Sequence, residues 1–90
     1  MKVDREVVVI NKLGLHARAS AQLVKLASTY ASDVRLTLGG QSVDGKNIMG
    51  LMMLAATCGS NIIVTAEGED AGQAVNEIDA LFADRFGEPE

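Results

Sequence analysis

The stretch Asn11-Lys12-Leu13-Gly14-Leu15-His16-Ala17-Arg18 is the part of this chain best equipped for chemistry. His16 is the only histidine, and it stands where a valine-rich run ends, a glycine allows a turn and a helix is due to begin. A neutral imidazole is a good phosphoryl acceptor. A helix start supplies unpaired backbone N–H groups and roughly half a positive charge, which together favour a bound phosphate. Arg18 adds a permanent cation whose planar donor fork suits phosphate oxygens. A solitary histidine is ordinarily a surface or capping residue, but Gly-Leu-His-Ala-Arg at a strand-to-helix junction is a specific combination. The residues therefore point to His16 as a nucleophile that carries a phosphoryl group.

Such a transfer is mostly positioning and charge stabilisation. One histidine and one cysteine cannot build a metal centre, so no metal and no other cofactor is expected. No glycine-rich nucleotide loop occurs, which argues against ATP as direct donor. The phosphoryl group is then expected to arrive from one protein and leave to another. The ring attacks only as the neutral base, so acceptance should fall as acid protonates it.

The elements that must hold this stretch can be read along the chain. Val3 to Ile10 reads as a strand, although Val7-Val8-Val9-Ile10 is too continuous for alternation to say which face is buried. From Ala17 to about Tyr30, the residues Ala19, Leu23, Leu26, Ala27 and Tyr30 line one side of a helix. Asp33 to Leu38 alternates, Gly39-Gly40 suits a tight hairpin, and Gln41 to Val43 returns. Asn47 is a good cap for a helix from Ile48 to about Ala56, and that helix carries more apolar residues than one core-facing side can use. Asn61 to Glu67 alternates again. After Gly68, Asp70 and Gln73 resemble a capping box for a helix whose stripe runs Ala71, Ala74, Val75, Ile78, Leu81, Phe82 and Phe86. Gly87-Glu88-Pro89-Glu90 is expected to fray. The order β-α-β-β-α-β-α fits an antiparallel sheet with helices on one face.

Ninety residues without a repeat or linker make a single domain, 1–90. The net charge of −4 argues against nucleic acid as partner, yet it hides an asymmetry. Residues 7–32 hold Lys12, Arg18 and Lys25 and no acid, whereas residues 67–90 hold eight carboxylates against Arg85 alone. The histidine lies in the basic part, which favours an acidic protein partner. Cys58 alone cannot form an internal disulfide. The first residues offer only four consecutive aliphatics, too few for a signal-peptide core or a membrane span, so the cytoplasm and no membrane insertion are expected.

Asn11 to Arg18, together with Gly45-Lys46-Asn47-Ile48-Met49-Gly50 and Ala66-Glu67-Gly68-Glu69-Asp70, resembles the histidine-containing phosphocarrier family HPr of the bacterial phosphotransferase system. The likeness covers nearly the whole chain. It implies an α+β open-faced β-sandwich, a four-stranded antiparallel sheet with three helices on one face. It implies that His16 takes a phosphoryl group on Nδ1 from phosphoenolpyruvate-dependent enzyme I and passes it to an EIIA domain, as a monomeric relay rather than an enzyme with its own turnover. Arg18 matches the family's phosphate-side arginine, and the backbone N–H groups of Ala17 and Arg18 match its helix-start donors. The family's docking face maps here onto Leu15, Arg18, Gln22, Lys25, Ile48, Met49 and Met52. Two departures stand out. Ala19 replaces a usual proline, from which a slightly looser helix start is expected. Asn47 replaces a serine phosphorylated in many members; it still caps the helix but cannot accept phosphate. The motif before the histidine also resembles the nitrogen-related branch, so sugar transport and regulatory relay both stay open. A regulatory module that keeps the fold without passing phosphate is the alternative. An acylphosphatase-type hydrolase would need a residue pair to position water, and none is evident.

Overall fold

A computed structural model describes every residue from Met1 to Glu90. Four strands, β1 (Lys2–Val8), β2 (Asp33–Leu38), β3 (Gln41–Asp44) and β4 (Asn61–Glu67), form one antiparallel sheet in the order β1-β4-β2-β3. Helices α1 (Ala17–Ala27), α2 (Ile48–Leu54) and α3 (Ala71–Ala83) supply the second layer, followed by a 3-10 turn at Arg85–Gly87. This is the expected open-faced β-sandwich.

Register settles what alternation left open in β1. Val7 lies opposite Ile62 of β4, and Val34 and Leu36 of β2 lie opposite Ala66 and Val64. All of these are buried, as is Val9, while Val8 and Ile10 face out. Val9 lies just past β1 but still exchanges bonds with the β4 side, its N–H donating to Ser60 and its carbonyl accepting from Gly59. Arg5 shares the inward row with Val3 and Val7, an unusual place for a charge. Its stem lies along that row and its guanidinium reaches Asp79 at 3.0 Å and Asn76 at 3.0 Å on α3.

The helices cover that face with Ala19, Leu23 and Ala27 of α1, Leu51 and Leu54 of α2, and Ala74, Val75, Ile78 and Phe82 of α3. Each fully buried Leu, Ile or Phe contributes about 1.5–3 kcal/mol. Phe86 completes the core by turning its ring edge onto Phe82, with centroids 4.9 Å apart. Arg85 and Phe86 both adopt φ of 55°, and the burial of Phe86 offsets a left-handed backbone cost of about 1–2 kcal/mol per residue.

Three local expectations are corrected. Helix α1 ends at Ala27, not near Tyr30: beyond it the chain tightens, with the Thr29 and Tyr30 N–H groups donating to the Leu26 and Ala27 carbonyls three residues back. Helix α2 stops at Leu54 rather than near Ala56, because Ala55 turns left-handed and donates its N–H to the Met52 carbonyl; beyond it the Ala56 carbonyl accepts the Leu15 N–H. Asp70 stands at the N-cap of α3 as expected, its carbonyl accepting the Ala74 N–H, but its side chain makes no capping bond. Its carboxylate instead accepts the N–H groups of Ala31 and Ser32 and the Ser32 hydroxyl, tying the start of α3 to the loop before β2.

Candidate functional site

The site is built at the junction of β1 and α1. Gly14, with φ of 66°, turns the chain so tightly that a Cβ there would collide with the Ala56 carbonyl oxygen. That turn lets the Leu15 N–H donate to the same carbonyl at 2.9 Å, and the Ser20 hydroxyl accompanies it by donating to the Leu15 carbonyl. Leu15 is thereby locked into the core at 4% exposure, and His16 becomes the N-cap of α1 with extended backbone. Its carbonyl accepts the first intrahelical bond, from Ser20 at 2.9 Å, which leaves the N–H groups of Ala17, Arg18 and Ala19 ahead of it.

The ring is held at both nitrogens. Nδ1 receives the Arg18 backbone N–H at 3.3 Å, so the cap and the candidate nucleophile are the same side chain. Nε2 lies 2.6 Å from Oε2 of Glu88. The imidazole is 28% exposed and shares an open recess with Lys12, Leu13, Arg18, Glu88, Pro89 and Glu90. Arg18 is exposed, lines this recess and forms no ion pair, which leaves its guanidinium donors available to an anion beside the ring. Ala19 is fully buried, and the first-turn bond from Ser20 gives no sign of the looser helix start expected without proline.

Residues 87–90 do not fray, contrary to the sequence expectation. Phe86 anchors them in the core, the Lys12 N–H donates to the Glu90 backbone oxygen at 3.0 Å, and the Lys12 ammonium lies 3.5 Å from the Glu90 carboxylate. Asn11, fully buried, donates from Nδ2 to both the Gly14 carbonyl and Oε1 of Glu88. Its Oδ1 has no partner. The hydrogen bond from His16 holds the Glu88 carboxyl below the usual carboxylate range; burial opposes this, and the Asn11 hydrogen bond and the Arg18 charge add to it. Reading the residues one by one missed Glu88. The available signal was charge: an acidic end segment in the same chain as a basic stretch without acids.

The docking residues separate. Gln22 and Lys25 lie on the outward side of α1. Ile48, Met49 and Met52 are exposed on α2, Met49 to 63%. Leu15 is the exception: burial withdraws its side chain from any docking face. Leu13 and Met53 are exposed as well, outside the docking face that the resemblance implied; for Met53 this agrees with the apolar excess of α2. Asn47 caps α2 as expected, accepting the Gly50 N–H at 3.2 Å.

A family profile described as "PTS HPr component phosphorylation site" matches residues 3–84. Phosphocarrier protein HPr of Cupriavidus necator is 49% identical over 88 residues, which cover 98% of this chain and 99% of that protein. Phosphocarrier protein NPr of Shewanella violacea is 37% identical over 87 residues, covering 97% and 96%. Among solved structures, HPr-C-His from Thermoanaerobacter tengcongensis matches with a TM-score of 0.94 at 33% identity, over 98% of this chain and 99% of that one. A profile spanning most of the chain, full-length relatives and a shared fold lead to one conclusion: the chain belongs to the HPr family of phosphocarrier proteins of the phosphotransferase system.

Proposed function

We propose that His16 accepts a phosphoryl group on Nδ1 from enzyme I charged by phosphoenolpyruvate, and passes it to an EIIA domain in the cytoplasm. The observation that carries this is the placement of Nδ1 at the N-terminus of α1, in a part-exposed ring beside the unpaired Arg18 guanidinium. The electron pair on Nδ1 forms the N–P bond as the bond from phosphorus to the donor breaks, its pair returning to the donor. The Arg18 N–H is then released from the ring to the phosphoryl oxygens, joined by that of Ala17, while the Arg18 side chain offsets their charge. The chain acts as a monomeric relay without turnover of its own, serving either the sugar or the nitrogen-related branch.

Arg18, Gln22, Lys25, Ile48, Met49 and Met52 form the proposed docking face, in which basic groups flank an apolar patch on α2. Asn47 keeps the cap that a serine would provide and leaves no hydroxyl for a kinase. Incubation with enzyme I and phosphoenolpyruvate followed by intact mass tests the reading. One acid-labile phosphate is expected, and none in His16→Ala; no mass gain in the unaltered chain would leave a non-transferring module with the same fold.

A further inference from the structure

Residues 87–90 bring to His16 a carboxylate for which the transfer just described has no role. We propose that Glu88 is a positioning residue: its carboxylate accepts the Nε2–H of His16 and so holds the ring in the tautomer whose free electron pair is on Nδ1. The inference rests on His16 being the phosphoryl acceptor and adds what orients it.

Three independent contacts carry it. Nδ1 faces the Arg18 N–H, which can only donate, so the nitrogen presented to it bears the lone pair. Nε2 faces Oε2 at 2.6 Å, which suits a proton held between ring and carboxylate. Oε1 is held by Nδ2 of the buried Asn11, so the carboxylate is itself fixed and only 12% exposed. Behind it, Phe86 is buried against Phe82, and Lys12 binds Glu90. Besides Glu88, the charged groups facing this recess are Lys12, Arg18 and Glu90.

The chemistry balances without moving a proton. As the Nδ1 pair bonds to phosphorus and the donor recovers the pair from the broken bond, Nε2 keeps its hydrogen and the ring gains a formal positive charge. That charge develops directly against the Glu88 carboxylate, so the same contact that selects the tautomer also stabilises the charged ring. The contact serves the reverse step equally, when the phosphoryl group leaves.

The test uses the full chain, labelled with 15N, as the unaltered protein, Glu88→Ala and Glu88→Gln. At a pH where the ring is neutral, the unaltered protein should show a protonated Nε2 and an unprotonated Nδ1 as two well-separated 15N resonances. In Glu88→Ala they should converge towards the tautomer average, with transfer from enzyme I slowed on the order of tenfold, the lower end of what losing the outer hydrogen-bond partner costs a metal-bound histidine. Glu88→Gln, whose carbonyl can still accept the N–H, should keep the resonances apart and recover part of the rate. A proton on Nδ1 in the unaltered protein would overturn the assignment. So would unchanged separation in Glu88→Ala, or transfer as fast as or faster than normal, which would make residues 87–90 idle or an obstruction. If enzyme I deposits no phosphate at all, the acceptor reading fails, yet the ring spectra still decide whether Glu88 sets the tautomer.

Discussion

Two side chains show how a single residue can serve structure and chemistry together. His16 satisfies an otherwise unpaired N–H at the start of α1, and the atom that does so is the one proposed to take phosphate. Arg18 contributes its backbone to that cap and its side chain to the recess, so Arg18→Glu leaves the N–H in place and reverses only the charge. Transfer from enzyme I should slow by about a hundredfold, within the cost of losing an electrostatic contact to a reacting group, with the thermal midpoint unchanged. Normal rates in stopped transfer assays would remove the guanidinium from the mechanism. Asp70 is the structural counterpart. Hydrogen bonds from the Ser32 hydroxyl and the Ala31 and Ser32 amides outweigh partial burial and lower its carboxyl below the ordinary carboxylate value. A carboxyl lowered on folding stabilises the native state above its unfolded value, and that contribution is lost as pH falls through the lower folded value. Asp70→Asn should therefore melt earlier at neutral pH, and its melting temperature should respond less to acidification below about pH 4, near the unfolded carboxylate value. Parallel melting curves for the two proteins across that range would contradict this.

At the scale of elements, the end of one segment is tied to another. Just past the end of α2 the Ala56 carbonyl receives the Leu15 N–H, and this close approach requires Gly14. Gly14→Ala must either push Ala56 away or leave the turn, breaking the Leu15 bond and shifting His16. A cost of about 2 kcal/mol or more is expected in urea unfolding, as for strain at a left-handed position combined with a lost buried hydrogen bond. Substitution of Gly39, whose Cβ would meet nothing within 4 Å, provides the control: it bears only the left-handed backbone penalty. Asn47 shows the opposite case, an end fixed locally, since its own side chain accepts the Gly50 N–H.

For the molecule as a whole, charge and apolar surface are arranged separately. The net charge is −4, yet Arg18 and Lys25 stand on the helix that begins at the site, and Met49, Met52 and Met53 project from the neighbouring α2. If this is the docking face, as proposed, it would steer an acidic partner over distances that salt shortens, the screening length being about 8 Å at physiological ionic strength. Raising salt from low to about 0.5 M should slow association with enzyme I by roughly tenfold, and Lys25→Glu should reproduce much of that loss at low salt without lowering stability. A salt-independent rate would shift the recognition onto the methionines.

The sequence by itself determined the strands from Asp33 and Asn61, the Asn47 cap and the candidate nucleophile, because each depends on period or on chemistry within a few residues. Tertiary structure decided what required distant groups. The face of Val7 to Ile10 follows from pairing with β4, the Asp70 side chain exchanges a capping bond for the Ser32 loop, and Leu15 is drawn from the surface into the core. Above all, Glu88 meets His16 from 72 positions away, because Phe86 is buried and Asn11 is free to hold the carboxylate. Periodicity carries no information about such a pairing; only a chain closed on its own core can bring those atoms together.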